Sequence, residues 1–229
     1  MNYDLHTHSK YSSRCGVAEP EHLVKVAISK GLDGIAVTDH DTIKGAIAAK
    51  KFETSDFKVI IGCEVTTTNG ELIGLFLQDE VKSRNPIEVI QEIHDQNGIV
   101  VVPHPFDKYR SARFNDLNIF LEQVDAIEVF NSRCISNRSN QLARDFAIKH
   151  GTKYNLSMVG GSDAHYLNEV GLGYTRIDDM EEDIKNDVIS CLKDALGNAN
   201  TDGGGRKSSL INHARTKLHK WSNSNVNHR

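Results

Sequence analysis

The sequence has little of what membrane, secreted and disordered proteins contain in abundance. Its 229 residues include four cysteines and four prolines, and aromatic residues make up only 7%. No apolar run approaches the roughly 20 residues that a membrane-spanning helix needs, and the start of the chain lacks the pattern of a signal peptide. With 38% hydrophobic and 25% charged residues, the composition predicts a cytoplasmic globular protein without membrane contact.

The four cysteines do not form a recognisable pattern. Cys15, Cys63, Cys134 and Cys191 lie far apart, and they lack the paired spacing of a thiolate zinc site. In a reducing compartment we expect them to be free thiols, most of them buried.

Charge is distributed unevenly along the chain. Residues 1–202 contain 21 basic and 31 acidic residues, whereas the segment from Gly203 to the end contains six basic residues and no acidic one. An acidic body argues against a broad electrostatic grip on nucleic acid, so nucleic acid is not the favoured partner. A cleft that holds cations could still receive a phosphate group.

Short apolar segments rich in β-branched residues alternate with segments of helical periodicity. The predicted strands are Tyr3–Leu5, Gly34–Thr38, Lys58–Val65, Glu71–Leu77, Ile99–Val102, Ala126–Phe130, Ser157–Gly160 and Tyr174–Ile177. The predicted helices are Pro20–Lys30, Thr42–Phe52, Pro86–Gln96, Leu117–Gln123, Asn137–His150 and Glu182–Leu196. This alternation predicts an α/β fold with a parallel sheet, either open and doubly wound or closed as a barrel.

The end of the chain differs in composition from the rest. We predict one domain over residues 1–197, followed by a linker and a basic segment over residues 198–229. Asn198–Ser209, with its glycines and serines, is predicted to be flexible. Beyond it, one helical stripe contains Leu210, Ala214, Leu218 and Trp221. We expect a helix there that packs on the domain or is frayed, and that is dispensable for chemistry.

Five predicted strand ends carry residues that bind metal ions. His6 and His8 point to the same side because strand side chains alternate between faces. The other candidates are His40, Glu64, His104, Asp163 and His165. The carboxyl ends of parallel strands carry the active site in α/β proteins, so we expect these side chains to converge. Their number exceeds what one tetrahedral ion uses, which predicts two or three divalent ions that clamp a phosphoryl group and generate hydroxide.

The order of these motifs resembles that of the PHP family, named for polymerase and histidinol phosphatase. The similar motifs are DLHTHS, TDHDT, GCE, PHP at Pro103–Pro105, and SDAH, within a resemblance that runs from Tyr3 to about Leu196. The resemblance implies a distorted seven-stranded β/α barrel of the TIM-like type. It also implies a site with two or three Mn, Zn or Fe ions, and hydrolysis of phosphate monoesters or nucleotide phosphodiesters.

The resemblance further implies how the ligands are shared. It assigns four residues to one ion: His6, His8, Glu64 and Asp163. Glu64 would bridge to a second ion at His104, and His40 with His165 would hold a third. Asp39 would orient an imidazole, because metal-bound histidines usually need such a partner, or else cap the helix that follows.

Two positions depart from the family pattern. Ser13 stands where the family often has an aspartate, and Glu71 stands where it often has a histidine. Glu71 is either an oxygen ligand for a hard ion such as Mn²⁺ or a solvated turn residue. These departures leave the occupancy of the third site open.

Three arginines are candidates for binding the phosphoryl oxygens. Arg110, Arg113 and Arg133 follow predicted strands, and a guanidinium group makes bidentate contacts with phosphate. Each could instead be a solvated loop residue. We therefore predict a phosphoesterase that hydrolyses a small phosphorylated or nucleotide substrate by metal-bound hydroxide. Two alternatives stay open: a catalytically weak metal-binding module with an interaction role, and an amidohydrolase or TatD-like nuclease.

Overall fold

The computed structural model describes residues 1–12, 15–110, 112–177 and 188–226, in which strands and helices alternate. The strands are β1 (Asn2–Thr7), β2 (Gly34–Val37), β3 (Lys58–Thr67), β4 (Gly70–Leu75), β5 (Ile99–Val102), β6 (Ala126–Asn131), β7 (Ser157–Gly161), β8 (Gly173–Ile177) and β9 (Thr201–Gly205). The helices are α1 (Pro20–Ser29), α2 (Lys44–Lys50), α3 (Pro86–Asp95), α4 (Asn137–Tyr154), α5 (Val188–Gly197) and α6 (Leu210–Val226).

The described strands form one mixed sheet in the order β7-β6-β5-β4-β3-β2-β1-β8-β9. Pairing is parallel from β1 to β3 and from β5 to β7, but β4, β8 and β9 run antiparallel to their neighbours. The prediction of a parallel sheet is therefore wrong for β4 and β8, and β9 was not predicted as a strand. The connection between β3 and β4 shows why, because its two residues can join only antiparallel strands.

The two ends of the sheet meet and nearly close it into a barrel. The amide of Gly160 in β7 donates to the hydroxyl of Thr175 in β8 at 2.9 Å. The hydroxyl of Thr201 in β9 donates to the carbonyl oxygen of Met158 in β7, also at 2.9 Å. A barrel-like α/β fold is thus confirmed, with nine described strands rather than seven.

Apolar side chains fill the barrel interior. One buried cluster takes residues from each of β1 to β8, among them Leu5, Ala36, Ile60, Ile73, Val101 and Val159. Leu192 and Leu196 of α5 belong to the same cluster. Since the interior is packed, polar chemistry is left to the rim of the barrel.

The segment predicted to be a flexible linker contains β9. Five of its residues pair with β8, from Thr201 opposite Ile177 to Gly205 opposite Gly173. A Cβ atom added at Gly203 would lie 2.3 Å from the carbonyl oxygen of Val159 in β7. Glycine is needed here for the close approach of two main chains, so its abundance did not indicate flexibility.

The predicted C-terminal helix is present as α6, but its faces are reversed. Leu210, Leu218 and Trp221 of the apolar stripe are 65–69% exposed. The opposite, polar face is buried, with Asn212 at 3% and Thr216 at 5% exposure. The helix is held by hydrogen bonds of this polar face rather than by hydrophobic burial.

Other helix predictions differ in extent. The segment predicted as a helix from Leu117 to Gln123 has only a 3₁₀ turn at Leu117–Ile119. The last predicted helix is described from Val188 onward, and its residues 182–187 lie outside the described ranges. Among the described helices, none combines the length and the apolar character needed to cross a membrane.

Candidate metal centre

Glu64 lies at the centre of a group of imidazoles at the carboxyl rim of the barrel. Its Oε2 atom is 3.5 Å from Nε2 of His6, 3.3 Å from Nε2 of His8 and 3.2 Å from Nδ1 of His40. Its Oε1 atom is 3.1 Å from Nε2 of His104. One carboxylate therefore faces four histidines from three chain segments, which is the arrangement of a bridging ligand.

Asp163 approaches the same imidazoles from the end of β7. Its Oδ1 atom is 3.3 Å from Nε2 of His8, 3.8 Å from Nε2 of His6 and 3.4 Å from Nδ1 of His165. Asp163 has φ 54° and His104 has φ 33°. These left-handed backbone conformations are unfavourable for residues with a Cβ and are typical of functional sites.

The residues present fit divalent cations. Oε2 of Glu64 and Oδ1 of Asp163 are buried and have no hydrogen-bond partner, a costly state for a carboxylate oxygen unless a cation faces it. Five overlapping sets of three side chains place their ligand atoms within 4.8 Å of one another. Imidazole nitrogens and carboxylate oxygens together suit manganese, iron and zinc. The seven candidate ligands from the five strand ends all belong to these sets.

Glu71 and Cys15 extend the cluster on its outer side. Glu71 lies in β4 and is 8% exposed, so it is not a solvated turn residue. Its carboxylate oxygens are 3.6 Å from Nδ1 of His40 and 3.8 Å from Nε2 of His104. Cys15 is buried and forms a set of candidate ligands with His8 and His40.

No sequence pattern indicates Cys15 as a ligand, because it shares no regular spacing with another ligand. The only available signal was its place in the loop that directly follows the H-x-H motif. Ser13 lies outside the described residues.

The residue that orients an imidazole is Glu128 rather than Asp39. Asp39 accepts hydrogen bonds from the amide and the hydroxyl of Ser9, both at 2.6 Å, and burial raises its pKa to about 6. Oε1 of Glu128, in β6, lies 3.0 Å from Nδ1 of His6, and its Oε2 accepts from the amide of His104 at 2.7 Å. Its signal in the sequence was a lone acidic residue within an otherwise apolar strand.

The three candidate arginines have different positions. Arg110 forms ion pairs with Asp163 and Asp107, and its side chain is 23% exposed at the edge of the cluster. Arg133 is buried, and its Nη1 atom donates to both carboxylate oxygens of Glu169 at 2.6 and 2.8 Å. Both arginines line the cavity over the cluster, whereas Arg113 is not among the described residues that line it.

The electrostatics of the cluster favour ionised Glu64 and Asp163 but divide the imidazoles, because the neighbouring carboxylates raise the pKa of His6 and bring that of His40 to about 10. Burial alone would raise the pKa of Glu64, but His40 and His6 outweigh it and hold that pKa well below the usual range. Arg110 and His6 likewise outweigh burial and lower the pKa of Asp163. Burial lowers the pKa of His8 to about 4. Ionised carboxylates and neutral imidazoles are the forms that bind metal ions, so binding at His6 and His40 would release their protons.

A cavity of about 350 Å³ opens over the cluster. It is lined by residues of the cluster and its arginines, including His40, Glu71, Arg110, Arg133 and His165. Three residues of α6 also line it: His213, Thr216 and Lys217. The C-terminal segment therefore lies at the candidate site, not apart from it.

Comparison with protein families identifies two matching regions. The PHP domain family matches residues 4–134, and a PHP-associated family matches residues 137–195. An uncharacterized protein of Methanocaldococcus jannaschii is 38% identical over 160 residues, which are 65% of this chain and 92% of that protein. An error-prone DNA polymerase of Cutibacterium acnes is 42% identical over 64 residues, which are 28% of this chain and 6% of the polymerase.

Solved structures of low sequence identity share the fold. A two-domain protein from Bacteroides vulgatus, described as containing a PHP-like metal-dependent phosphoesterase, has a TM-score of 0.70 and 21% identity, over 90% of this chain and 65% of that chain. A lesion-specific endonuclease from Pyrococcus furiosus has a TM-score of 0.57 and 18% identity, over 90% of this chain and 57% of that chain. This chain spans less than two thirds of either structure.

Proposed function

This chain belongs to the PHP family, and we propose that it is a metal-dependent hydrolase that cleaves phosphate esters of small phosphorylated or nucleotide substrates. The observation that carries the proposal is the geometry around Glu64 and Asp163. Each has a buried carboxylate oxygen without a hydrogen-bond partner, and each of these oxygens faces histidine nitrogens at 3.2–3.8 Å.

Two or three ions of Mn, Zn or Fe are the proposed cofactors. In this proposal His6, His8, Glu64 and Asp163 would hold one ion. Glu64 with His104 and Glu71 would hold a second, and Cys15 beside His40 would support a third. Such ions supply an activated water and neutralise the charge of the phosphoryl group.

Residues around the cluster position the ligands and the substrate. Glu128 fixes the ring of His6 by its contact with Nδ1, which directs Nε2 towards Glu64. Arg110 has N–H groups beyond those that face Asp163 and Asp107, and it lines the cavity. We assign these N–H groups to the non-bridging phosphoryl oxygens. Arg133, paired with Glu169, has a supporting role.

The cavity favours a small substrate over a nucleic acid. Its volume of about 350 Å³ is within the usual range for small-molecule sites. The formal net charge of −4 offers no broad attraction for a polyanion. Cleavage of nucleic acid, the activity named for the Pyrococcus furiosus structure, is therefore the second outcome to test. The cytoplasmic location stays a prediction.

The proposal is tested with p-nitrophenyl phosphate, bis(p-nitrophenyl) phosphate and single-stranded DNA as substrates. We expect hydrolysis of an aryl phosphate with Mn²⁺, loss of this activity with a chelator, and recovery when Mn²⁺ is added back. Cleavage of DNA alone would replace the small substrate by a nucleic acid. Hydrolysis of a lactone or an amide without phosphate ester cleavage would favour an amidohydrolase, and metal binding without any hydrolysis would favour a binding module.

A further inference from the structure

Helix α6 turns polar side chains towards the cavity over the metal centre. His213, Thr216 and Lys217 line this cavity together with His40 and Glu71. Residues 213, 216 and 217 fall on one face because neighbours three and four positions apart lie together on a helix. The apolar stripe of the same helix is exposed, so the buried face was not set by hydrophobic packing.

Polar contacts fix α6 in this position. Nη2 of Arg133 donates to the hydroxyl of Thr216 at 3.0 Å, and the same arginine is held by Glu169. The guanidinium carbon of Arg215 lies 4.4 Å from the centre of the Tyr166 ring, in a cation–π contact. These contacts join the helix to the segments that follow β6 and β7, which carry part of the metal centre.

The cations around the cavity differ in whether their charge is already compensated. Arg110 is paired with Asp163, and Arg133 is paired with Glu169. Lys217 forms no ion pair with a carboxylate in the part of the chain that the structure describes. Among the described cations that line the cavity, Lys217 is therefore the one whose charge is available to a ligand.

We propose that Lys217 and the adjacent His213 bind a second anionic group of the substrate, at the end of the molecule away from the phosphate that is hydrolysed. This inference rests on the proposed phosphoesterase function of the metal centre. It narrows the substrate to small phosphate esters that carry a further carboxylate or phosphate. His213 supports this role as a neutral donor, because burial and the two arginines lower its pKa to about 4.

The test compares two pairs of probes that differ by one distal carboxylate. Phenyl phosphate and 4-carboxyphenyl phosphate report turnover, while benzylphosphonate and its 4-carboxy derivative report binding without hydrolysis. We expect the carboxylate to lower KM about fivefold without a matching change in kcat, and to tighten phosphonate binding to a similar extent. In Lys217→Ala, the ratio between the probes with and without the carboxylate should fall to about one in both pairs.

Lys51→Ala is the matched control, because Lys51 is an exposed lysine at the end of α2 and its replacement makes the same change in net charge. The inference is overturned if the carboxylate gives no advantage in the unaltered protein, or if Lys217→Ala retains it. Failure of the proposed phosphoesterase function can be distinguished from failure of this inference. In the first case neither phosphate would be hydrolysed, while the phosphonates would still report binding by Lys217 and His213.

Discussion

The rim of the barrel and the C-terminal region, residues 198–226, contrast in how sequence relates to structure. At the rim, His6 in β1, Glu64 in β3 and Asp163 just after β7 meet because the sheet fixes the directions of these strands. In the C-terminal region, glycine-rich sequence forms β9, and an amphipathic helix turns its apolar side to solvent. Metal-binding residue types near predicted strand ends therefore predict the site more reliably than composition or amphipathicity predicts the structure of the C-terminal region.

The largest effect is expected from His6→Ala at the rim. The variant removes an imidazole that faces both Glu64 and Asp163, so metal content and hydrolysis should fall by more than about 100-fold, beyond the loss typical of an outer-shell partner. Elemental analysis and aryl phosphate turnover measure the two losses, and circular dichroism checks the fold. His22→Ala, on the exposed face of α1, is the control and should change neither. Full turnover in His6→Ala would remove this residue from the metal centre.

A smaller loss, of metal affinity, is expected from Glu128→Gln at the rim. The amide keeps the size of the side chain but removes the charge that faces Nδ1 of His6, so metal affinity should fall roughly 10- to 100-fold. Titration of the metal-free protein with Mn²⁺ measures this change. Glu122→Gln, at an exposed position, provides the comparison. Equal affinities in the two variants would show that Glu128 does not position the ring.

Two truncations separate β9 from α6. A chain ending at Ser209 keeps all five pairs between β8 and β9, whereas a chain ending at Asn198 loses them together with the bond from Thr201 to Met158. We expect the shorter chain to lose about 2 kcal/mol and to melt roughly 4–8 °C below the chain ending at Ser209. Thermal denaturation measures the difference. Coincident melting curves would restore the linker interpretation of residues 198–209.

The smallest effect is a pH dependence of the docking of α6. Burial, with Arg133 and Arg110, lowers the pKa of His213 to about 4 against the opposing influence of Asp163 and Asp107. The unfolded or undocked state, with an ordinary pKa near 6.5, takes up the proton first, so docking should weaken as the pH falls from about 6.5 to 4. Limited proteolysis of α6 across this range measures the effect, and His213→Gln should abolish its pH dependence. Unchanged cleavage rates in the unaltered protein would contradict this assignment.

Most elements of the barrel could be predicted because local patterns determine them. The strand Ile99–Val102 was predicted with its observed bounds, since a run of four apolar β-branched residues has no competing interpretation. The closing strand β9 could not be predicted in this way. Its glycines serve a close approach to Val159, which depends on tertiary packing that composition does not record.

The candidate ligands also divide into those that local spacing predicts and those that only tertiary packing brings together. His6 and His8 were predicted to face one side from their spacing alone, and their Nε2 atoms lie 3.2 Å apart. Glu128 and Cys15 were missed because their partners are distant in the chain or irregularly spaced. Asp39 was given the wrong partner, since nothing in TDHDT distinguishes a contact with Ser9 from one with an imidazole.

Calorimetric titration of the metal-free protein with Mn²⁺, followed by aryl phosphate turnover at each point, measures whether ions bound at the rim of the barrel drive hydrolysis. We expect at least two ions per chain, hydrolysis that rises with their binding, and loss of both in His6→Ala. Hydrolysis at full rate before any ion is added, or ions bound as well by His6→Ala as by the unaltered protein, would contradict a metal centre built on the rim of the barrel.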